Sequence, residues 1–247
     1  MTEPERQIRV LVVAGNAAHR WHNWETTTPA ICGLLERDPR PRIQVTEDPE
    51  RLADLPGAGF EVVILNYCNW EDPRGLSEAA KAGFSGWVAR GGGLLVVHFA
   101  NGAFHHSLPG AALSDWPEYR RMVRRVWDHS GPEPSNHDPF GTFTALPTSV
   151  EHPITHGLSH FTVEDELYVN QRGEEPIEPL LVANSKLTGS VEPLAWVYNY
   201  GSGRVFQTML GHSASTYRAF GAREMLRRAV SWVAGREVHM LRAEQDP

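Results

Sequence analysis

The sequence predicts a three-layer α/β fold: a mostly parallel central sheet, helices on both faces, and an antiparallel hairpin near the carboxyl end. Three observations carry this. Short apolar runs alternate with helix-like stretches through the amino-terminal part, the rhythm of β-α-β units. Leu94, Leu95, Val96 and Val97 form a continuously apolar run, as strands buried on both faces do. Gly201-Ser202-Gly203 separates two strand-like segments in the manner of a tight turn.

Taken in order, residues 8–14 read as the first strand, ended by Gly15-Asn16. The loop that follows is dense in polar and aromatic groups (His19, Trp21, His22, Trp24). A helix over 28–37 is stopped by Pro39 and Pro41. Residues 42–47 give a more polar strand suited to a sheet edge, and 60–66 a third strand. A helix over 76–90 ends at the glycine run 91–93, which releases the chain into the strand that reaches His98. Residues 99–140 are irregular, with a short helix expected over 116–127; a stretch of that length is more often a site wall than a spacer. Strands are expected over 141–146, 161–169, 179–183, 194–200 and 204–209. The last helix, 220–234, places Met225, Leu226, Ala229, Val230 and Val233 on one face to cover the sheet. With no repeat or linker, residues 1–247 read as one domain, with 1–7 and 240–247 as loose ends.

Composition bounds the function. Of 247 residues, 41% are apolar and 21% charged, the balance of an ordinary globular protein. A net charge of −7 argues against nucleic acid as a partner. The two cysteines, Cys32 and Cys68, make no disulfide framework. A charged amino terminus and the lack of any run near the roughly 20 apolar residues of a membrane span point to a cytoplasmic protein with no membrane partner.

Two histidines stand just past buried strands: His98 at the end of 94–97, and His212 after the strand that ends near Met209. Open α/β sheets bind ligands beyond the carboxyl ends of their strands, so both can face one crevice. The acidic run Glu164-Asp165-Glu166, followed by Tyr168, adds a carboxylate able to ligate, to transfer protons or to orient an imidazole. Arg120, Arg121, Arg124 and Arg125 share a face that reads either as solvated surface or as an anion catch.

Gly-Gly-Leu-Leu-Val-Val-His (92–98), Trp-Pro-Glu-Tyr-Arg (116–120), Glu-His-Pro-Ile-Thr-His-Gly-Leu (151–158) and Asp-Glu-Leu-Tyr (165–168) occur in that order. Pro-Leu-Ala-Trp (193–196), Gly-Ser-Gly-Arg-Val-Phe (201–206) and Leu-Gly-His (210–212) follow, and His-Arg-Trp-His (19–22) precedes them. Together these motifs, spread over nearly the whole chain, resemble the ThuA-like, trehalose-utilisation family. The resemblance implies a flavodoxin-like, class I glutamine amidotransferase-like fold. It also implies a role in carbohydrate catabolism, often beside oxidoreductases that make keto-sugars. It does not extend to glutaminase chemistry. The turn after the strand ending at Val97 carries His98 and Phe99 where amidotransferases place a cysteine, and His212 lacks the His-x-Glu partner.

The candidate catalytic residues are therefore His98, Glu166 and His212. Two mechanisms fit. In one, these three, joined by His19 or His22, hold a divalent metal such as zinc. In the other, His98 and Glu166 form a metal-free acid/base pair supported by Tyr168 or His212. His19, Trp21, His22, Trp116, Tyr119, His137 and Tyr168 are the candidate substrate-binding residues, since sugar C–H faces pack on aromatic rings. The expected partner is a small sugar or keto-sugar, acted on by lyase, isomerase or hydrolase chemistry. No nucleotide cofactor is expected, and a homo-oligomer stays open. The competing reading is a non-catalytic sugar-binding or regulatory module on an old enzyme fold.

Overall fold

The structure, a computed structural model, describes residues 6–16, 21–110 and 113–240. Strand β1 (Ile8–Gly15) leads to helix α1 (Trp24–Leu35) and strand β2 (Pro41–Thr46). A 3-10 turn (Pro49–Asp54) and the one-turn helix α2 (Leu55–Ala58) make the second crossover to β3 (Val62–Tyr67). Helix α3 (Glu78–Ala89) and strand β4 (Gly93–Val97) follow. Past a 3-10 turn (His98–Gly102) come α4 (Pro117–Met122), β5 (Asn136–His137), β6 (Gly141–Pro147), β7 (Phe161–Asp165) and β8 (Tyr168–Val169). Strands β9 (Pro179–Asn184), β10 (Val191–Tyr200) and β11 (Gly203–Thr208) precede the last helix, α5 (Phe220–Val233).

Nine strands form one sheet in the order β2-β1-β3-β4-β11-β10-β9-β6-β7, and β5 pairs with β8 apart from it. The segment from β2 to β11 is parallel. From β11 to β7 every pairing is antiparallel, so the antiparallel flank extends well beyond the expected hairpin. Four antiparallel steps return β7 to the direction of β4 and β11. The carboxyl ends of β4, β11 and β7 therefore open on the same rim of the sheet, although the chain reaches them at distant positions.

The order reverses between β1 and β3, so right-handed crossovers put α1 and α3 on opposite faces. Both faces of the parallel strands are thereby covered. Val10, Leu11, Val12, Val13 and Ala14 of β1 and Leu94, Leu95 and Val96 of β4 have no exposed surface. At about 1.5–3 kcal/mol for each large apolar side chain buried, this row fixes β4, and with it the position of its terminal residue. Helix α5 packs on β4 and β11 as its spacing predicts. It also buries Glu224, Arg227 and Arg228, which its polar positions did not foretell. They are accommodated by pairing with one another and with Asp38, itself bound by Arg40 at 2.6 Å.

Three expectations are corrected. Helix α1 starts four residues before the expected 28, because the Asn23 side chain accepts from the Thr26 amide (3.2 Å) and caps it there. The helix expected over 116–127 ends at Met122, where Val123 turns extended (φ −121°, ψ 100°). The strand expected over 161–169 breaks into β7 and β8 around Glu166 and Leu167. No helix among the described residues is long and apolar enough to cross a membrane.

Candidate functional site

His98 is the first residue after β4, fully enclosed, with a left-handed backbone (φ 49°). A sparsely populated backbone at this strand-to-turn junction lifts an imidazole off the end of β4. Its Nδ1 lies 2.6 Å from the Met209 carbonyl oxygen at the end of β11. A carbonyl can only accept, so Nδ1 carries a proton, and Nε2 is the nitrogen that this tautomer turns toward the hollow. That Nε2 is 2.9 Å from His22 Nε2 and 3.8 Å from Glu166 Oε2.

The remaining members arrive from other strand ends on the same rim. His22 precedes α1 and stacks flat on Phe99 (4.3 Å, 12°). His212 follows β11, and its Nδ1 stands 3.0 Å from Glu166 Oε2, off the line of a hydrogen bond. One ligating atom from each of His22, His98, Glu166 and His212 lies within 4.8 Å of the others. In a tetrahedral zinc site with bonds of about 2.0 Å, ligand atoms sit about 3.3 Å apart. The observed 2.9, 3.0 and 3.8 Å bracket that spacing. Burial raises Glu166, yet the imidazoles of His212 and His98 outweigh it and bring the carboxyl down to about 2. Glu166 is therefore a carboxylate at neutral pH, in a form able to ligate.

Asp165 builds this corner and was not singled out by the sequence. Its buried carboxylate accepts from the amides of Gly211 (2.8 Å), His212 (3.2 Å) and Glu166 (2.7 Å) and from the Thr216 hydroxyl (2.8 Å). It ties β7 to the loop that bears His212. Gly211 makes the close approach possible: its φ is 136°, and a Cβ there would sit 2.7 Å from Val97 Cγ1.

A hollow of about 320 Å³ opens above these groups, walled by Trp21, Trp70, Phe99, Trp127 and Tyr168. Tyr168, paired with His137 across the small sheet, sets its hydroxyl 3.3 Å from His22 Nε2. His137 Nδ1 is 3.5 Å from Glu166 Oε1. Trp21 stands at the rim, half exposed. Larger grooves lie elsewhere, one of about 500 Å³ beside Gly15, Glu50 and Arg74, but none of His22, His98, Glu166 and His212 lines it.

The structure thus gathers His22, His98, His137, Glu166, Tyr168 and His212, with Trp21 at the mouth. It does not bring Trp116 or Tyr119 there. Both are interior, stacked on each other (5.8 Å, 22°) beside Phe104, and the Tyr119 hydroxyl donates to the Ala100 carbonyl (2.6 Å). Their ring character serves packing under the 98–102 turn rather than a ligand surface. His19 lies outside the described residues. Trp127 and His129, also on the wall, were missed, although the run Trp127-Asp128-His129 is a local signal for them. The arginine face is engaged: Arg120 with Asp115, Arg121 with Glu118, and Arg124 stacked on Tyr198. Neither cysteine replaces the missing nucleophile. Cys32 lies within α1, and burial holds the Cys68 thiol far above its ordinary range, so no thiolate forms.

A family profile described as ThuA, trehalose utilisation, matches residues 9–233. Among solved structures, a ThuA-like protein from Parabacteroides merdae is similar at a TM-score of 0.80, with 23% identity over 96% of this chain and 94% of that one. A ThuA-like protein from Bacteroides uniformis gives 0.70, with 17% identity over 94% of each chain. A β-galactosidase from Bacillus circulans sp. alkalophilus gives 0.59 at 10% identity, over 94% of this chain but 32% of that enzyme, and shares the fold alone. No curated protein matches.

Proposed function

The chain belongs to the ThuA, trehalose-utilisation family, and from that membership and the histidine–carboxylate hollow we propose a cytoplasmic enzyme of carbohydrate catabolism that acts on a sugar or keto-sugar with the help of a divalent metal. The observation that carries the metal is the convergence of His22, His98, Glu166 and His212 within 4.8 Å. The proton on His98 Nδ1, committed to Met209, supports it by leaving Nε2 as a donor to an ion. Such an ion supplies Lewis-acid polarisation of a sugar carbonyl.

The chain's own groups do the rest. Trp21, Trp70 and Trp127 offer faces for a sugar ring and displace water from it. A hollow of about 320 Å³ falls in the roughly 300–1,000 Å³ range of small-molecule sites. His137, next to Glu166 but outside the four ligands, is placed to move a proton beside a carbonyl, the step that a keto-sugar makes accessible. The chemistry is of lyase, isomerase or hydrolase type and uses no thiol.

The test is turnover of trehalose and of its oxidised keto-glycoside, followed by proton NMR, with chelator-stripped and zinc-reloaded protein. Product from the reloaded protein alone supports the reading. Binding of either sugar with no product under any divalent ion would instead favour a sugar-binding module.

A further inference from the structure

We infer that His105, His106 and Asp128 form a second divalent-metal site, on the far side of the hollow's wall and open to the groove beside α4. One ring nitrogen of each histidine and a carboxylate oxygen of Asp128 lie within 4.8 Å of one another. His105 Nε2 stands 4.0 Å from Asp128 Oδ2. Two ligands of one tetrahedral ion with bonds of about 2.1 Å are about 3.4 Å apart, so a closure of about 0.6 Å brings this pair to a shared ion. The His106 ring, half exposed, has the freedom to close the remaining gap.

The surroundings suit ligation. His105 Nδ1 faces the Ser107 hydroxyl oxygen at 2.8 Å, so the tautomer that donates there leaves Nε2 for an ion. The Ser107 amide donates to the same Nδ1 (3.2 Å), so the ion-free ring carries its proton on Nε2, and an ion there takes its place as that proton leaves or moves to Nδ1. His106 Nδ1 is 3.6 Å from Asp115, the carboxylate-beside-imidazole arrangement common behind metal ligands. The nearby Arg120 guanidinium is matched by Asp115 at 2.5 Å and so does not oppose a cation uncompensated. Two nitrogens and one oxygen select a borderline transition ion such as zinc over calcium or magnesium, which favour oxygen donors. The groove of about 660 Å³ leaves the other coordination positions to solvent.

This second site would act on the first through the chain. Asp128 sits between Trp127 and His129, both on the wall of the hollow, and the His129 amide donates to Ser107 Oγ (2.9 Å). An ion at Asp128 pins that wall. The inference stands apart from the proposed activity, because it needs no residue of the four-ligand cluster.

The test is calorimetric titration of chelator-stripped protein with zinc chloride, for wild type, His106→Ala, Asp128→Asn and Glu166→Gln. The expected result is a class of zinc sites in wild type and E166Q that H106A and D128N weaken at least about tenfold, with melting temperatures held within a few degrees. If D128N fails to fold, H106A decides, since its ring is half exposed. Isotherms of H106A indistinguishable from wild type, or no zinc uptake by wild type, would overturn the inference. Loss confined to E166Q would overturn it as well and leave the four-ligand cluster standing.

Discussion

His98 Nδ1 and the Met209 carbonyl oxygen are 2.6 Å apart, a bond that joins the ends of β4 and β11 and fixes which nitrogen of the ring carries the proton. This contact turns a buried histidine into a directed donor. Its other nitrogen meets His22 at 2.9 Å, with Glu166 and His212 alongside.

Replacement of His98 by Asn keeps a residue that tolerates its left-handed backbone. Sugar turnover should fall on the order of 10²- to 10⁴-fold, and zinc affinity with it, while the melting temperature moves by a few degrees. Near-normal turnover in H98N would show that the ring is structural.

Asp165→Asn replaces one acceptor oxygen with a donor, set either against the Glu166 and His212 amides or against the Gly211 amide and the Thr216 hydroxyl. A loss of about 2–3 kcal/mol in urea unfolding is expected, the scale of buried donors left unmatched. Zinc affinity should drop too, because His212 loses its anchor. Weakened metal binding without a stability loss would contradict this assignment.

Gly211→Ala forces a Cβ to within 2.7 Å of Val97 Cγ1 at a φ of 136°. The backbone strain alone is on the order of 1–3 kcal/mol. Thermal melting should register it, and a variant as stable as wild type would mean the loop has room to shift.

Acid stability should depend on Asp38. Burial raises this carboxyl, but Arg40 and Arg227 outweigh it and hold it below the usual carboxylate range. A depressed acid contributes stability above its unfolded value near 3.8, and that contribution is lost as pH falls further through the folded value. Wild type should therefore lose stability below about pH 4 more steeply than Asp38→Asn. The variant should already be weaker by about 3–5 kcal/mol at pH 7, because the buried Arg40 loses its carboxylate and keeps only neutral acceptors such as the Glu237 carbonyl and Ser231 Oγ. Parallel pH curves for the two would count against the pairing.

Much of this was legible in the chain because strands buried on both faces read as unbroken apolar runs, as Leu94–Val97 does. The same logic placed His98 and His212 at strand ends. Glu166 was nameable from its acidic run, yet its arrival beside them depends on how many antiparallel steps separate β7 from β11, which no local pattern encodes. Trp116 and Tyr119 illustrate the opposite error. An aromatic residue in an irregular stretch looks the same whether it lines a hollow or fills the space beneath one. Asp165 was hidden for a third reason: nothing in an acidic triplet tells which member turns inward to bind amides.

The central claim is that three imidazoles and one carboxylate hold a divalent ion. Crystals of the protein soaked in zinc and measured at the zinc absorption edge test it directly. The account predicts an anomalous peak about 2.0–2.2 Å from His22, His98, Glu166 and His212. A map with no peak there, and with His22 and His98 hydrogen-bonded to each other, would contradict it.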